Sequence, residues 1–183
     1  MTIMSKLELQ RGFVPVANAS ICPHPLLLIL GSAPGPLSIA RQQYYGNPSN
    51  HFWKILANLF GVSDQLPYKE RCERLIEKRI VLWDMCKQFV RKGSSDNAIK
   101  HIEINRVDEL LRQFPSIQVV ACNGRTSASL LKRHVSLPKD VRVITLPSSS
   151  PAHAMKNAVA AKSQLWRKLF EIELLDQLEM NPE

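Results

Sequence analysis

Five consecutive apolar residues, Leu26-Leu27-Leu28-Ile29-Leu30, are closed at once by Gly31 and then by Pro34-Gly35, and this stretch constrains the fold more than any other. An unbroken apolar run of this length suits a strand buried on both faces, as in parallel sheets covered by helices on either side. The breakers end the strand and open a loop. Three further segments read the same way: Ile80 to Trp83, delivering Asp84; Ile117 to Cys122, followed by the Asn123-Gly124 turn; and Val141 to Leu146, followed by Pro147-Ser148-Ser149-Ser150-Pro151. Between them lie helical periods. From Asn50, the residues Phe52, Trp53, Ile55, Leu56, Leu59 and Phe60 recur on one face, with Gly61 as a stop. Arg71 to Lys78, Val107 to Phe114 with Pro115 as its stop, and Thr126 to His134 read as further helices, and Met155 to Leu178 as one long helix or two abutting ones. Strands alternating with helices predict a three-layer α/β/α sandwich around a mainly parallel four-stranded sheet.

With 183 residues, 45% of them hydrophobic, the chain can bury a core as one domain over residues 1–183, residues 1–24 being expected as a leader packed on the domain edge. Lys and Arg number 24 against 16 Asp and Glu, a net charge of +8, which suits a polyanionic partner without identifying one. Cys22, Cys72, Cys86 and Cys122 are too far apart for a metal-binding pair and are expected as buried thiols; no metal or cofactor is expected. The apolar run at Leu26 is too short to span a bilayer, and the first residues lack a basic region followed by an apolar core. The expectation is a soluble intracellular protein, cytoplasmic or nucleoid-associated in a bacterium, with no membrane partner.

In such sheets ligands bind beyond the carboxyl ends of the strands. The loops at Gly31–Pro36, Trp83-Asp84 and Pro147–Pro151 are therefore expected to face one pocket. The first carries Gly31-Ser32-Ala33-Pro34-Gly35, then Ser38, then Tyr44-Tyr45-Gly46-Asn47-Pro48-Ser49-Asn50-His51-Phe52-Trp53. This resembles the G-x-x-P-G motif of the mismatch-specific uracil and thymine DNA glycosylases, with their P-x-N-x-F-W segment preceded by an aromatic. The resemblance is closest to the hypoxanthine-DNA (deoxyinosine) glycosylase branch of the uracil-DNA glycosylase superfamily, with its G-S-x-P loop and Y-Y-x-x-P-x-N-x-F-W segment. Leu146-Pro147-Ser148-Ser149-Ser150-Pro151-Ala152-His153 resembles the superfamily's second loop, a Pro- and Ser-rich turn beside the DNA.

The resemblance implies excision of a deaminated base by hydrolysis of its N-glycosidic bond, without a cofactor, by a monomer acting on double-stranded DNA, with single strands as a further partner. A base in a duplex must be extruded, stacked on an aromatic and read along its edge. Tyr45 offers the stacking face, or is an ordinary core or surface tyrosine. Ser32, Ala33 and Asn123 are placed against the base, although Asn123 also suits a plain Asn-Gly turn. In the mismatch-type relatives an Asn at the third position of the first loop positions the water, and another branch has Glu at the second; Ala33 and Ser32 supply neither. The resemblance therefore points to Asn50 as the catalytic amide, a residue equally suited to capping the helix that follows. Asp84 reads as structural, helix-capping, base-reading or water-orienting. Ser38, Ser148, Ser149, Ser150 and His153 are expected near DNA phosphates, against the alternative of ordinary turn and cap chemistry. Where relatives carry a bulky apolar wedge, this sequence has Ser150 and Pro151.

Hypoxanthine is the substrate implied, with uracil next. The alternative is a non-catalytic DNA-binding or damage-recognition protein on the same fold, for which Ala33 argues. A small-molecule α/β hydrolase would need a G-x-S-x-G elbow, which the sequence lacks.

Overall fold

A computed structural model describes residues 9–16, 24–91 and 99–174. Most of the expected leader, Cys22 and the tail of the last expected helix beyond residue 174 lie outside them. In chain order the elements are β1 (Leu9–Arg11), β2 (Leu27–Gly31), α1 (Pro36–Arg41), α2 (Phe52–Phe60), α3 (Tyr68–Glu77), β3 (Ile80–Asp84), β4 (Cys86–Arg91), β5 (Ile99–Ile104), α4 (Val107–Gln113), β6 (Val119–Asn123), α5 (Arg125–His134), β7 (Arg142–Leu146) and α6 (Ala158–Leu174). The expected strands and helices all form, within a few residues. α3 begins at Tyr68 behind Pro67 rather than at Arg71, and α6 at Ala158 rather than Met155. The final segment is one helix as far as Leu174.

β2 explains the layering. All five of its residues are buried, and because side chains alternate across a strand, they serve two cores. Leu27 and Ile29 join Phe52, Leu56, Leu59, Trp166 and Phe170 under α2 and α6. Leu28 and Leu30 join Val107, Leu111, Leu130 and Leu131 under α4 and α5. The main sheet runs β3-β2-β6-β7, every pair parallel. Gly31 is opposite Asp84, Leu30 opposite Cys122, and Asn123 opposite Leu146, so the strands end in one row. The chain steps from β2 outward to β3, then returns past β2 to β6, which makes the carboxyl ends of β2 and β6 the switch point where such sheets bind ligands.

Periodicity does not reveal the second sheet, ordered β1-β4-β5 and antiparallel. Its strands are short and mix charged with apolar residues, as in Cys86-Lys87-Gln88-Phe89-Val90-Arg91. Part of the expected leader is thus a strand, Leu9 pairing with Val90. Helix α1 is also unanticipated, since six residues give too few turns for a period, although Pro36 at its start is the usual helix-opening proline. Cys86 and Cys122 are buried as expected, whereas Cys72 is half-buried. No helix among the described residues is long and apolar enough to cross a membrane.

Ile29 is fully buried at the centre of the middle strand. Ile29→Ala is expected to cost about 2–5 kcal/mol, the range for truncating a large aliphatic in a packed core. Urea denaturation should show a lower midpoint at unchanged m-value.

Candidate active site

Main-chain hydrogen bonds from the second sheet hold the first loop. The Met85 and Cys86 N–H groups donate to the carbonyls of Gly31 and Ser32, each at 2.9 Å, and the buried Arg91 guanidinium donates to the Pro34 carbonyl. Gly31 has to be glycine here. A Cβ on it would sit 2.2 Å from Asp84 Oδ1 and 3.1 Å from the Tyr45 hydroxyl. The Asp84 carboxylate, buried at the end of β3, therefore leans over the first loop to where Tyr45 arrives from the following segment. The Asp84 carbonyl is held in turn by Asn105 Nδ2 at 2.8 Å.

The segment before α2 is tightly pinned. Tyr44 is buried, its N–H donating to the Tyr68 hydroxyl, its own hydroxyl to the Val14 carbonyl, and its carbonyl accepting from Trp53 Nε1, each at 3.0 Å. Burial, reinforced by Asp84, holds the Tyr44 phenol well above its ordinary pKa, so it stays neutral. Ser38 is also buried, and its hydroxyl accepts the Gly46 N–H at 3.0 Å, joining α1 to this segment. Between these anchors Tyr45 takes a left-handed backbone, φ 52°, a conformation a non-glycine residue holds only where its surroundings enforce it. Its ring stacks on Phe52 at 3.7 Å between centroids and 14° between planes.

Asn123 ties this segment to the second loop. Its Nδ2 donates to the Tyr45 hydroxyl at 3.0 Å and to Ser149 Oγ at 2.8 Å, and its Oδ1 accepts the Ser149 N–H at 2.8 Å. Ser149 is buried, and its carbonyl accepts the His51 N–H at 3.0 Å, which brings the loop to the start of α2. Asn50 stands at that junction. Its Oδ1 accepts the Phe52 N–H at 3.0 Å, so it does cap the helix start, while Nδ2 has no partner among the described residues. With Tyr45, Asn50 lines a pocket of about 220 Å³. Ser148 and Ser150 are half-buried, the Ser148 hydroxyl accepting the Ser150 N–H at 3.2 Å, and His153 is exposed.

Ser32 is buried beneath the loop, and Ala33 packs against the Leu28–Leu30 core. Ten of the eleven expected site residues are thus tied to the carboxyl edge of the main sheet or to the loops beside it, His153 being the outlying one. Among the described residues, no three His, Cys, Asp or Glu are gathered as metal ligands.

Residues 19–171 match the model of the uracil DNA glycosylase superfamily. The chain belongs to that superfamily. It is 31% identical over 160 residues to the hypoxanthine DNA glycosylase of Methanosarcina barkeri, covering 87% of this chain and 99% of that protein. It is 36% identical over 146 residues to the hypoxanthine DNA glycosylase of Methanosarcina acetivorans, covering 79% and 89%. A solution NMR structure from Methanosarcina acetivorans, described as a candidate uracil DNA glycosylase, superposes with a TM-score of 0.70 at 34% identity over 88% of this chain and 99% of that one.

Two supports of this glycosylase's site escape the sequence reading. Lys162 of α6 is fully buried, its ammonium donating to the Ser150 carbonyl at 2.9 Å and lying 3.4 Å from His51 Nδ1. Trp166, one turn on, donates from Nε1 to the Pro147 carbonyl at 2.8 Å. The i, i+4 spacing of Lys162 and Trp166 is the available signal, since it puts the lysine on the helix's buried stripe. Burial lowers the Lys162 pKa. Burial first, then Lys162 and Lys54, lower that of His51.

For His51 the sign is fixed by linkage. Its folded-state pKa lies below 6.5, so as pH falls the unfolded chain takes up this proton first. Its contribution to stability is full above pH 6.5 and declines as pH falls towards the folded-state value. Thermal melting of His51→Gln is expected to fall less than wild type between pH 6.5 and about pH 5, and parallel curves would contradict this.

Proposed function

We propose that this glycosylase excises hypoxanthine from deoxyinosine in double-stranded DNA, and uracil secondarily, as a monofunctional hydrolase acting as a monomer with Asn50 as its catalytic residue. The observation that carries the assignment is the Asn50 amide, fixed through Oδ1 to the start of α2 with Nδ2 open beside Tyr45. The first loop offers no substitute, because Ala33 carries only a methyl group and packs against the core.

Water must add to the anomeric carbon while the bond to the base nitrogen breaks, the base leaving with the bonding electrons and then taking a proton. A carbonyl oxygen has two lone pairs. Asn50 Oδ1 gives one to the Phe52 N–H and keeps one for the water, while Nδ2 can donate to the departing group. Tyr45, backed by Phe52, supplies the stacking face. A base entering over Gly31 takes the Asn123 Nδ2 donor from the Tyr45 hydroxyl. That donor suits the carbonyl of hypoxanthine and is unmatched against the amino group that adenine carries there. Ser32 and Ala33 form the floor beside the base, and Asp84 orients Tyr45 or the water over Gly31. Ser148, Ser150 and His153 are the groups of the second loop accessible to phosphates, whereas Ser38 and Ser149, buried and engaged internally, set the loops that meet DNA.

The test is excision from duplexes bearing one deoxyinosine or one deoxyuridine, read by alkaline cleavage. Product is expected on deoxyinosine. Binding without product on either duplex would instead favour the non-catalytic damage-recognition protein for which Ala33 argues. Asn50→Ser keeps a capping oxygen and removes the amide, so melting should shift little while single-turnover excision falls on the order of 10²–10³-fold, as when one transition-state hydrogen-bonding group is lost. Near-normal excision would reduce Asn50 to a cap. Tyr45→Ala should weaken productive engagement of the base by about 1–3 kcal/mol, the usual range for a lost base–aromatic stack.

A further inference from the structure

The pocket that Asn50 and Tyr45 share continues away from Gly31 between the 41–50 segment, α2 and the start of α3, where Arg41, Lys54 and Arg71 line it against a single acid, Asp64. We propose that it is a subsite for a backbone phosphodiester of the strand under repair, with Arg71 and Lys54 as its ligands. This rests on the DNA glycosylase reading and adds contacts that neither loop motif contains.

Arg71 is built as a fixed anion receptor. Its guanidinium carbon lies 4.5 Å from the Trp53 ring centroid and 5.6 Å from that of Tyr68. Cation–π contact with two rings holds a guanidinium in place while its terminal N–H donors can match phosphate oxygens in pairs. No hydrogen bond or ion pair satisfies those donors among the described residues, and Nε is buried without an acceptor. Asp64 does not neutralise it, since Oδ1 accepts from Gln65 Nε2 at 3.1 Å and no ion pair joins Asp64 to Arg71.

The contrast with nearby cations is informative. Lys69 and Arg74 on the same helix pair with Glu73 and Glu77, and Arg106, just before α4, shares Asp108 with Arg112 within it. Lys54 and Arg71, which have no ion pair among the described residues, line the pocket that also holds the Asn50 amide. Arg41 contributes charge and braces the rim, donating to the Gly46 carbonyl at 2.7 Å. Removing a guanidinium from water without giving it an acid is unfavourable, and a bound phosphate offsets that cost.

The experiment measures binding of a duplex with one deoxyinosine across a salt series, for wild type, Arg71→Gln, Lys54→Gln and, as a charge control at the far end of α5, Lys132→Gln. Each neutralised phosphate contributes a slope of about −0.9 in log K against log salt. Arg71→Gln and Lys54→Gln should each flatten the slope by about that amount and weaken binding several-fold, while Lys132→Gln leaves both near wild type. Singly methylphosphonate-substituted duplexes then locate the contact. One neutral linkage beside the deoxyinosine should weaken wild type several-fold and Arg71→Gln no further. Equal slopes in all four proteins, or no such linkage, would overturn the inference while leaving the glycosylase assignment standing; absence of wild-type DNA binding would overturn both. Should Arg71→Gln fail to fold, Lys54→Gln, at an exposed helical position, gives the same two readouts.

Discussion

Because Gly31 carries no side chain, three groups from different parts of the chain can meet above it. The Asp84 carboxylate reaches over from β3, and the Tyr45 hydroxyl arrives from the segment before α2. That hydroxyl then receives the Asn123 amide from β6, whose other bonds hold Ser149 of the second loop. The Ser149 carbonyl receives the His51 N–H, and Asn50 is the neighbouring residue. A methyl group at position 31 would collide with the first member of this series, displacing Asp84 or Tyr45 and, through Tyr45, Asn123. Each bond contributes only about 0.5–1.5 kcal/mol net, but a buried partner left unsatisfied costs about 1–3 kcal/mol, so the network resists partial opening.

The network holds the first loop and leaves one amide open beside it. The Gly31–Pro34 loop is fixed by its carbonyls to β4 and Arg91, and Ala33 packs against the core. A loop held that way positions backbone and provides space, but it presents no acid, base or amide to a substrate. The open functional group lies instead at the start of α2, where Asn50 is set by a helix-capping bond. Capping and catalysis make compatible demands on one amide, because the cap uses a single lone pair of Oδ1 and fixes the direction of Nδ2. The left-handed backbone of Tyr45, set between a buried Tyr44 and a buried Gly46, fits the same division, since strain at that point is carried by anchors on either side.

What the sequence discloses follows from how locally each feature is determined. The four strands of the main sheet are legible because burial on both faces writes an unbroken apolar run, and α2 because Phe52, Trp53, Ile55, Leu56, Leu59 and Phe60 repeat on one face. The Gly31 loop and the Tyr45–Asn50 segment are legible because turns and caps use distinctive residues. The second sheet is not, since β4, its central strand, and β5 set charged residues among apolar ones and their pairing is settled by tertiary contact. The same holds for the site. Asn50 and Tyr45 stand in a motif, whereas the bonds from Asn123 to Ser149 and from Lys162 to Ser150 span 26 and 12 residues and join elements whose packing no local pattern encodes. Arg71 is hidden for a different reason. Set among the charged residues of α3, it reads as one more solvated charge until Trp53 and Tyr68 are found against it.

Lys162 shows how the buried face of α6 bears on the site. A lysine with no exposed surface is normally destabilising, yet here its ammonium meets the Ser150 carbonyl and the His51 ring nitrogen. Water screens such a charge poorly in the interior, so it acts on its neighbours more strongly than a surface lysine does. Donation to His51 Nδ1 requires the imidazole to be neutral at that atom, and the same positive charge disfavours protonation of the ring. One buried cation therefore holds the end of the second loop and disfavours protonation of the residue beside Asn50. If His51 became protonated, two cations would face each other at this junction, and only the Ser150 carbonyl would remain to accept from Lys162. Protonation at the start of α2 is thus opposed by a helix packed on the same face of the sheet, one that contributes no group to the motifs themselves.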